Sequence, residues 1–465
     1  MEQQICERLA WWNETVTWGV PMLLLMLGTG CYLTVRTRGV LFTHWRTVWR
    51  HTGKTLLAPH REKTQDGITP FQAVATALAG TVGTGNIVGV ALAIALGGAG
   101  AIFWMWMAAL LGMVTKYAEV TLAVAYRRRR GGLRTGGAML YMEQGLGWRV
   151  LPRAFCLFGM LAAFGIGNMV QVNAMATALR DGFAVPPAQT GVVTLLLAAL
   201  VLMGGIRRIA RVAERLIPLA ALVYLLGACA VLMLQREALP MAIQSIFAEA
   251  FTGRASVGGL SGVSVQYAMR IGVARGLFTN EAGLGSAPIA HATAENWHPA
   301  RQGLWGAFEV FFDTIVMCTI TALVVLTSGL SPQAEDSSSL VQRAFAQVLP
   351  HGGELVTLGV VLFAFSTLLA WYYYGERCAE HLGGTPSRYR LAYLLAIVPG
   401  AVLELELVWE LADLFNGLMA LPNLLALLLL APSVQRLSED FFRAPDRVRR
   451  QGGSFAHLLQ GKALR

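Results

Sequence analysis

Charge is what this sequence has least of: only 14% of its 465 residues are Asp, Glu, Lys or Arg, against roughly a quarter in a soluble globular domain. That shortage excludes an ordinary water-facing surface. Cysteine is sparse too, with six residues far apart (Cys6, Cys31, Cys156, Cys229, Cys318 and Cys378) and no CxxC pair. Neither a disulfide framework nor a zinc site is indicated, and buried reduced thiols are expected. GxSxG and HExxH are absent, and His291, His298 and His381 fall at the ends of apolar runs without a partnered nucleophile, so no enzyme is expected. No ring of charges or filter-like sequence recurs, as a channel would need.

Long apolar runs are present instead. Hydrophobic residues make up 55% of the chain, gathered in stretches of about 20 residues, enough to cross roughly 30 Å of hydrocarbon. This predicts an all-α polytopic membrane protein of eleven transmembrane helices, near 15–35, 69–95, 100–126, 151–179, 187–204, 214–234, 261–290, 303–328, 353–375, 388–407 and 409–432. A stretch near 240–252 is too short to cross and is expected at the surface. The segment before the first run, EQQICERLAWWNE, holds three acidic residues and one arginine. A signal peptide has the opposite charge there, so this run is read as a retained helix.

The net charge of +10 is carried by runs beside apolar stretches, RRRR at 127–130 and RRIAR at 207–211, which suits orientation signals rather than nucleic acid. With the C-terminus in the cytoplasm, 28 of the 37 Lys and Arg residues lie on that side, 5 lie opposite (Arg8, Arg180, Arg236, Arg254, Arg343) and 4 fall inside spans. The N-terminus is therefore expected outside.

Two runs contain stretches unsuited to a lipid-facing helix. AGTVGTGNIVG (79–89) crowds glycine, threonine and asparagine into the middle of the second run, and RGLFTNEAGLGSAPIAHA (275–292) does the same in the seventh. Unwound backbone at that depth must line a cavity or face protein. Close helix packing through small residues is the simpler explanation of a lone glycine pair, but does not account for the polar residues among them. The second and seventh runs each open a block of five spans, in opposite orientations, which is the pattern of an inverted-repeat secondary transporter. The expected division is an N-terminal helix and basic loop (1–66), a first repeat (67–235), a second repeat (236–432) and a basic tail (433–465).

Three stretches, TALAGTVGTGNIVGVALAIALGG (76–98), GGAGAIFWMWMAALLGM (97–113) and GLFTNEAGLGSAPIAHATAE (276–295), resemble the alanine or glycine:cation symporter family of bacteria and archaea. The resemblance implies a leucine-transporter-type fold of two inverted five-helix halves with one extra N-terminal helix. It also implies import of small neutral amino acids with sodium across the bacterial inner membrane, with no cofactor beyond the coupling ion.

The two breaks carry the candidate site. A zwitterion's carboxylate needs donors, which the N–H groups of Thr84, Gly85 and Asn86 can supply where the helix restarts. Its ammonium needs acceptors, for which Gln171, Asn280, Glu281 and the backbone near Gly283 are candidates. Gln171 shares a face with Asn168 and can equally serve interhelical hydrogen bonding. Glu281 can bind ammonium or a cation, or pair with Arg270 or Arg275, because an unpaired carboxylate at that depth is costly. Glu309 and Asp313 share a face and suggest a gate or a salt bridge with Arg275. Trp371 is a candidate wall against large side chains, or simple packing. For sodium, a hard ion seeking oxygens, the freed carbonyls from Gly80 to Gly83 and the hydroxyls of Ser366 and Thr367 are candidates. The alternative for those hydroxyls is bonding to their own helix. A proton-coupled amino-acid transporter of the same fold, with Glu281 as proton carrier, is the nearest rival.

Overall fold

The computed structural model describes residues 2–57, 68–130, 133–252, 264–330, 337–403, 406–443 and 455–459. Arg254, the boundary at 66/67, the start of the seventh run (261–263) and most of the tail beyond Arg443 lie outside the described residues. Seven described helices are long and apolar enough to cross a membrane: Gln4–Arg36, Gly100–Ala125, Val150–Phe183, Gly205–Leu234, Pro299–Thr327, Gly352–His381 and Glu406–Arg443. They coincide with expected spans one, three, four, six, eight, nine and eleven. The other four expected spans differ in kind. Spans two and seven are interrupted, span five is the 16-residue helix Pro187–Leu202, and span ten is split into Pro386–Leu395 and Ile397–Val402.

The interior is framed by α1 (Val20–Arg36), α2 (Pro70–Thr81), α3 (Val88–Gly97), α4 (Gly100–Ala125), α5 (Val170–Phe183), α6 (Leu239–Thr252), α7 (Val265–Asn280), α8 (Pro299–Val310), α9 (Gly352–His381) and α10 (Glu406–Arg443). α4 lies along both α7 and α8. Glycine makes that contact possible. A Cβ on Gly272 would stand 2.2 Å from the Ala101 carbonyl oxygen, and one on Gly303 would stand 2.8 Å from that of Tyr117. In lipid, where tails are as apolar as leucine, such close backbone approach is a main source of helix–helix attraction.

The 240–252 stretch is the amphipathic helix α6. Ala242, Ile246 and Ala250, four residues apart, are buried, while Met241, Phe247 and Phe251 are exposed. It caps the start of α4: Ala99 N–H donates to Glu249 Oε2 at 2.8 Å and Trp104 Nε1 donates to the Ala250 carbonyl at 3.2 Å. The all-α expectation needs one correction. Arg128–Arg130 (β1) pairs antiparallel with Leu133–Thr135 (β2). The four arginines just before this turn are therefore not equivalent. Arg127 is turned inward, its Nη1 donating to the Ala294 carbonyl at 2.5 Å, so it fastens the hairpin to the loop after the second break.

The backbone contact at Gly272 generates a prediction. Gly272→Leu should cost about 3 kcal/mol, because the obstructing atoms belong to the main chain, and should reduce monodisperse protein on size exclusion in detergent. Gly28→Leu, at a position where a Cβ would meet no atom within 4 Å, should leave the elution profile unchanged. Equal profiles for both variants would show that the α4–α7 contact tolerates a side chain.

Candidate functional site

The first break follows from its own local chemistry. α2 opens with a reciprocal cap, Gln72 N–H donating to Thr69 Oγ1 and Thr69 N–H donating to Gln72 Oε1, each at 3.0 Å, with Pro70 in the first turn. The helix stops at Thr81; Val82 and Gly83 are extended, a 3₁₀ turn spans Thr84–Asn86, and α3 begins at Val88. Asn86 Oδ1 accepts the Gly83 N–H at 2.9 Å, replacing a lost helix acceptor. The glycines let neighbours in. A Cβ on Gly83 would lie 2.8 Å from Thr367 Oγ1, and one on Gly85 would lie 2.9 Å from Thr279 Cγ2.

The second break mirrors this arrangement. α7 ends at Asn280, and Glu281, Gly283 and Gly285 all adopt positive φ (55°, 91° and 80°), a region that glycine enters without penalty and glutamate does not. Asn280 Oδ1 accepts the Ala282 N–H at 3.0 Å. Glu119 Oε1, reaching from α4, accepts the Gly285 N–H at 3.1 Å, and Asn423 Nδ2 donates to the Gly283 carbonyl at 2.9 Å.

One π-helical stretch, Phe311–Cys318, receives the other end of both asparagines. Asn86 Nδ2 donates to Asp313 Oδ1 at 2.7 Å, Asn280 Nδ2 donates to Thr314 Oγ1 at 3.1 Å, and Thr314 Oγ1 donates to Asp313 Oδ2 at 2.9 Å. A closed run of hydrogen bonds thus joins the Gly83 N–H of one break to the Ala282 N–H of the other. π-turns inside α-helices are uncommon and recur at functional sites.

Between the breaks, α5 and α9 lies a cavity of about 320 Å³, at the small end of the roughly 300–1,000 Å³ typical of ligand sites. Of the twelve residues singled out from sequence, it is lined by Gly80, Gly83, Thr84, Gly85, Gln171, Glu281, Thr367 and Trp371. Asn86, Asn280, Gly283 and Ser366 do not line it; the two asparagines lie behind the wall and hold the breaks in shape. Thr84 Oγ1 donates to Gln171 Oε1 at 3.3 Å, and Gln171 Nε2 is engaged by the Ile166 carbonyl at 3.0 Å. Trp371 Nε1 donates to Glu281 Oε1 at 3.0 Å, and Ser286 Oγ donates to Glu281 Oε2.

Several expected pairings are corrected. Glu281 is bound to neither Arg270 nor Arg275, because its left-handed cap turns it toward Ser286 and Trp371. Arg270 instead meets Glu14 at 3.8 Å, and Arg275 lies over the Phe278 ring at 6.0 Å. Glu309 and Asp313 do not pair with Arg275 either. Glu309 is fully buried, 3.6 Å from Lys116 Nζ and 2.8 Å from His291 Nε2. Ser366 Oγ and Thr367 Oγ1 both donate to the Phe363 carbonyl, at 2.7 and 3.0 Å.

The Lys116–Glu309–His291 group is the feature that sequence reasoning passed over. A signal for it existed, since Lys116 and Glu119 stand three apart inside an apolar 26-residue helix, where charge is expensive unless paired. The proton positions in this group follow from one backbone donor. Trp297 N–H donates to Asn296 Oδ1, so Asn296 Nδ2 donates to Gln302 Oε1 and Gln302 Nε2 donates to His291 Nδ1. His291 therefore carries its proton on Nε2 and gives that hydrogen bond to Glu309.

Two interrupted helices meeting at a small cavity inside an apolar helical body define a membrane transporter. The profile of the sodium:alanine symporter family matches residues 2–452, and the chain belongs to that family, one of transporters rather than enzymes. The chain is 46% identical over 440 residues to the sodium/alanine symporter AgcS of Methanococcus maripaludis, covering 92% of this chain and 95% of that one. It is 37% identical over 428 residues to the amino-acid carrier protein AlsT of Bacillus subtilis, covering 90% and 89%. Among solved structures, MhsT in complex with L-phenylalanine superimposes with a TM-score of 0.56 at 15% identity, covering 82% of this chain and 90% of that one. At that identity the likeness concerns the fold, which is of the leucine-transporter type.

The bridge at residues 313–314 generates a prediction. Asp313→Leu removes the carboxylate that accepts from both Asn86 and Thr314, leaving Asn86 the longer bond to the residue 313 carbonyl, and should cost about 3 kcal/mol, read as a lower unfolding midpoint in detergent. Asp313→Asn keeps one acceptor oxygen and should lose less than half as much. A midpoint unmoved by Asp313→Leu would mean that the two breaks are held independently.

Proposed function

We propose that this protein is a secondary active transporter that carries a small neutral amino acid, alanine or glycine, into the cell together with sodium. The observation that carries this reading is the meeting of the two breaks and α9 around one small cavity, in a chain of the sodium:alanine symporter family. A zwitterion fits its walls. The 3₁₀ turn at Thr84–Asn86 starts with N–H groups that have no partner inside the turn, which suits the carboxylate. Gly85 lines the cavity and leaves room for Thr279 beside that backbone. Glu281 and, beside the turn, Gln171 Oε1 offer acceptors to the ammonium, and Trp371 both orients Glu281 and closes the wall against larger side chains. Asn86, Asn280 and Gly283 contribute by shaping the two breaks.

For sodium, the reading assigns the carbonyls from Gly80 to Gly83 together with Thr367 Oγ1 and, next to it, Ser366 Oγ. Donation to the Phe363 carbonyl does not compete with this role. A hydroxyl whose hydrogen points back along its helix presents its lone pairs outward, as a cation requires. Around these sites we place eleven spans in two inverted halves, 67–235 and 236–432, behind an extra first helix. The N-terminus is then outside the bacterial inner membrane and the C-terminus in the cytoplasm, following the excess of basic residues. A proton-coupled transporter is the second reading, favoured by a single observation: the Glu281 carboxylate lines the cavity itself.

Uptake of labelled alanine into proteoliposomes, with and without an inward sodium gradient, tests the main reading. Accumulation only with sodium is expected. Uptake at zero sodium that follows an imposed pH gradient would replace it with the proton-coupled one. A reporter fused to the C-terminus should be active only in the cytoplasm, and activity on the outer side would overturn the orientation.

The cation assignment predicts that Ser366→Ala with Thr367→Val raises the sodium concentration for half-maximal uptake tenfold or more, about 1.4 kcal/mol. Alanine binding at saturating sodium should change much less. An unaltered sodium dependence in the double variant would move the cation away from α9.

A further inference from the structure

Away from the central site, a cavity of about 170 Å³ opens where α1 ends, between residues 36–44 and the last turns of α10. Arg36, Arg38, His44 and Arg443 line it, opposed by one carboxylate, Glu439. Glu439 is already engaged by Arg443 at 3.3 Å and Gln435 at 3.1 Å. The guanidinium of Arg36 lies over the Tyr32 ring at 5.9 Å, and its Nε is buried with no hydrogen-bond partner. Among the described residues, no carboxylate pairs with Arg36 or Arg38. A cavity of similar size beside the β1–β2 hairpin, lined by Arg128, Arg129 and Arg377, differs on this point. There Arg377 is held by Glu376 at 2.7 Å and Glu380 at 2.9 Å.

Two guanidinium groups that line a cavity and pair with no carboxylate among the described residues call for an anion with several acceptor oxygens, and phosphate matches their planar fork. What surrounds the cavity selects the source of that phosphate. Leu24, Tyr32 and Val35 form an exposed apolar stripe down α1 that ends at Arg36. Beyond the cavity, Phe42, Trp45 and Trp49 are exposed, with Arg46 and Arg50 beside them. Exposed tryptophans beside arginines at the end of a span are the signature of the headgroup layer. This segment is also fixed in place, because the His44 ring meets Phe442 at 5.0 Å and the His51 ring meets Phe441 at 5.4 Å. We propose that the cavity binds the phosphate of an anionic glycerophospholipid through Arg36 and Arg38, with the acyl chains lying along the exposed face of α1.

The proposal requires only that the protein sits in a bilayer, so it stands apart from the sodium and alanine assignments. Its test is native mass spectrometry of the full chain in detergent with added dioleoylphosphatidylglycerol, dioleoylphosphatidylcholine or inorganic phosphate. One phosphatidylglycerol per chain should be retained, phosphatidylcholine should not compete at equal concentration, and inorganic phosphate should not displace the lipid. Arg36→Gln with Arg38→Gln should weaken retention tenfold or more, with the elution profile and unfolding midpoint in phosphatidylcholine unchanged. Arg36→Lys with Arg38→Lys, which keeps charge but loses the fork, should fall between. Arg149→Gln with Arg153→Gln, the same loss of charge at other exposed positions, should retain lipid like the parent. Equal retention by the Arg36/Arg38 variant and the parent would overturn the proposal, as would equal competition by phosphatidylcholine. Displacement by inorganic phosphate would make this a free-anion site and overturn the lipid assignment.

Discussion

Everything at the centre of this protein depends on one constraint: a helix interrupted away from water must find new partners for the backbone groups it frees. Both interruptions solve this alike. An asparagine takes the orphaned N–H with its carbonyl oxygen, Asn86 from Gly83 and Asn280 from Ala282, and hands its amide hydrogens onward. Because Asp313 and Thr314 receive both amides and are bonded to each other, the two repairs share one support. The irregular chain on both sides of the cavity thus rests on the same π-turn.

The same accounting explains the buried charge. Lys116, Glu119, Glu309 and Asp313 are fully buried, which would be prohibitive for isolated ions. Glu119 serves as a backbone acceptor for the second break, and Glu309 is shared by Lys116 and His291. These groups act as scaffold for the irregular chain, whereas Glu281 lines the cavity. At the periphery the logic reverses. Among the described residues no carboxylate pairs with Arg36 or Arg38 at the end of their span, where the surrounding bilayer itself can supply the anion.

Much of the fold is legible in the sequence, for reasons that can be named. Spans one, three, four, six, eight, nine and eleven are recoverable because a long apolar run has few alternatives in lipid. Spans five and ten are harder: Pro187–Leu202 is short, and Pro386–Leu395 breaks before Ile397. The breaks at 80–86 and 281–287 are visible as clusters of glycine, threonine and asparagine. Local composition states where a helix cannot persist. It does not say what the freed groups touch, so Glu281 invited pairing with the arginines nearest in sequence. At that residue a left-handed cap sends the carboxylate elsewhere, to Ser286 and Trp371.

The sequence by itself determined the class of protein and the positions of both interruptions, because these follow from hydropathy and backbone preference along the chain. Only the tertiary structure decided the partners. Asn86 finds Asp313 across 227 positions and Asn423 finds Glu119 across 304. A hydrogen bond depends on an ångström-scale approach of two atoms, and that distance is set by how whole helices pack rather than by anything near either residue in the chain.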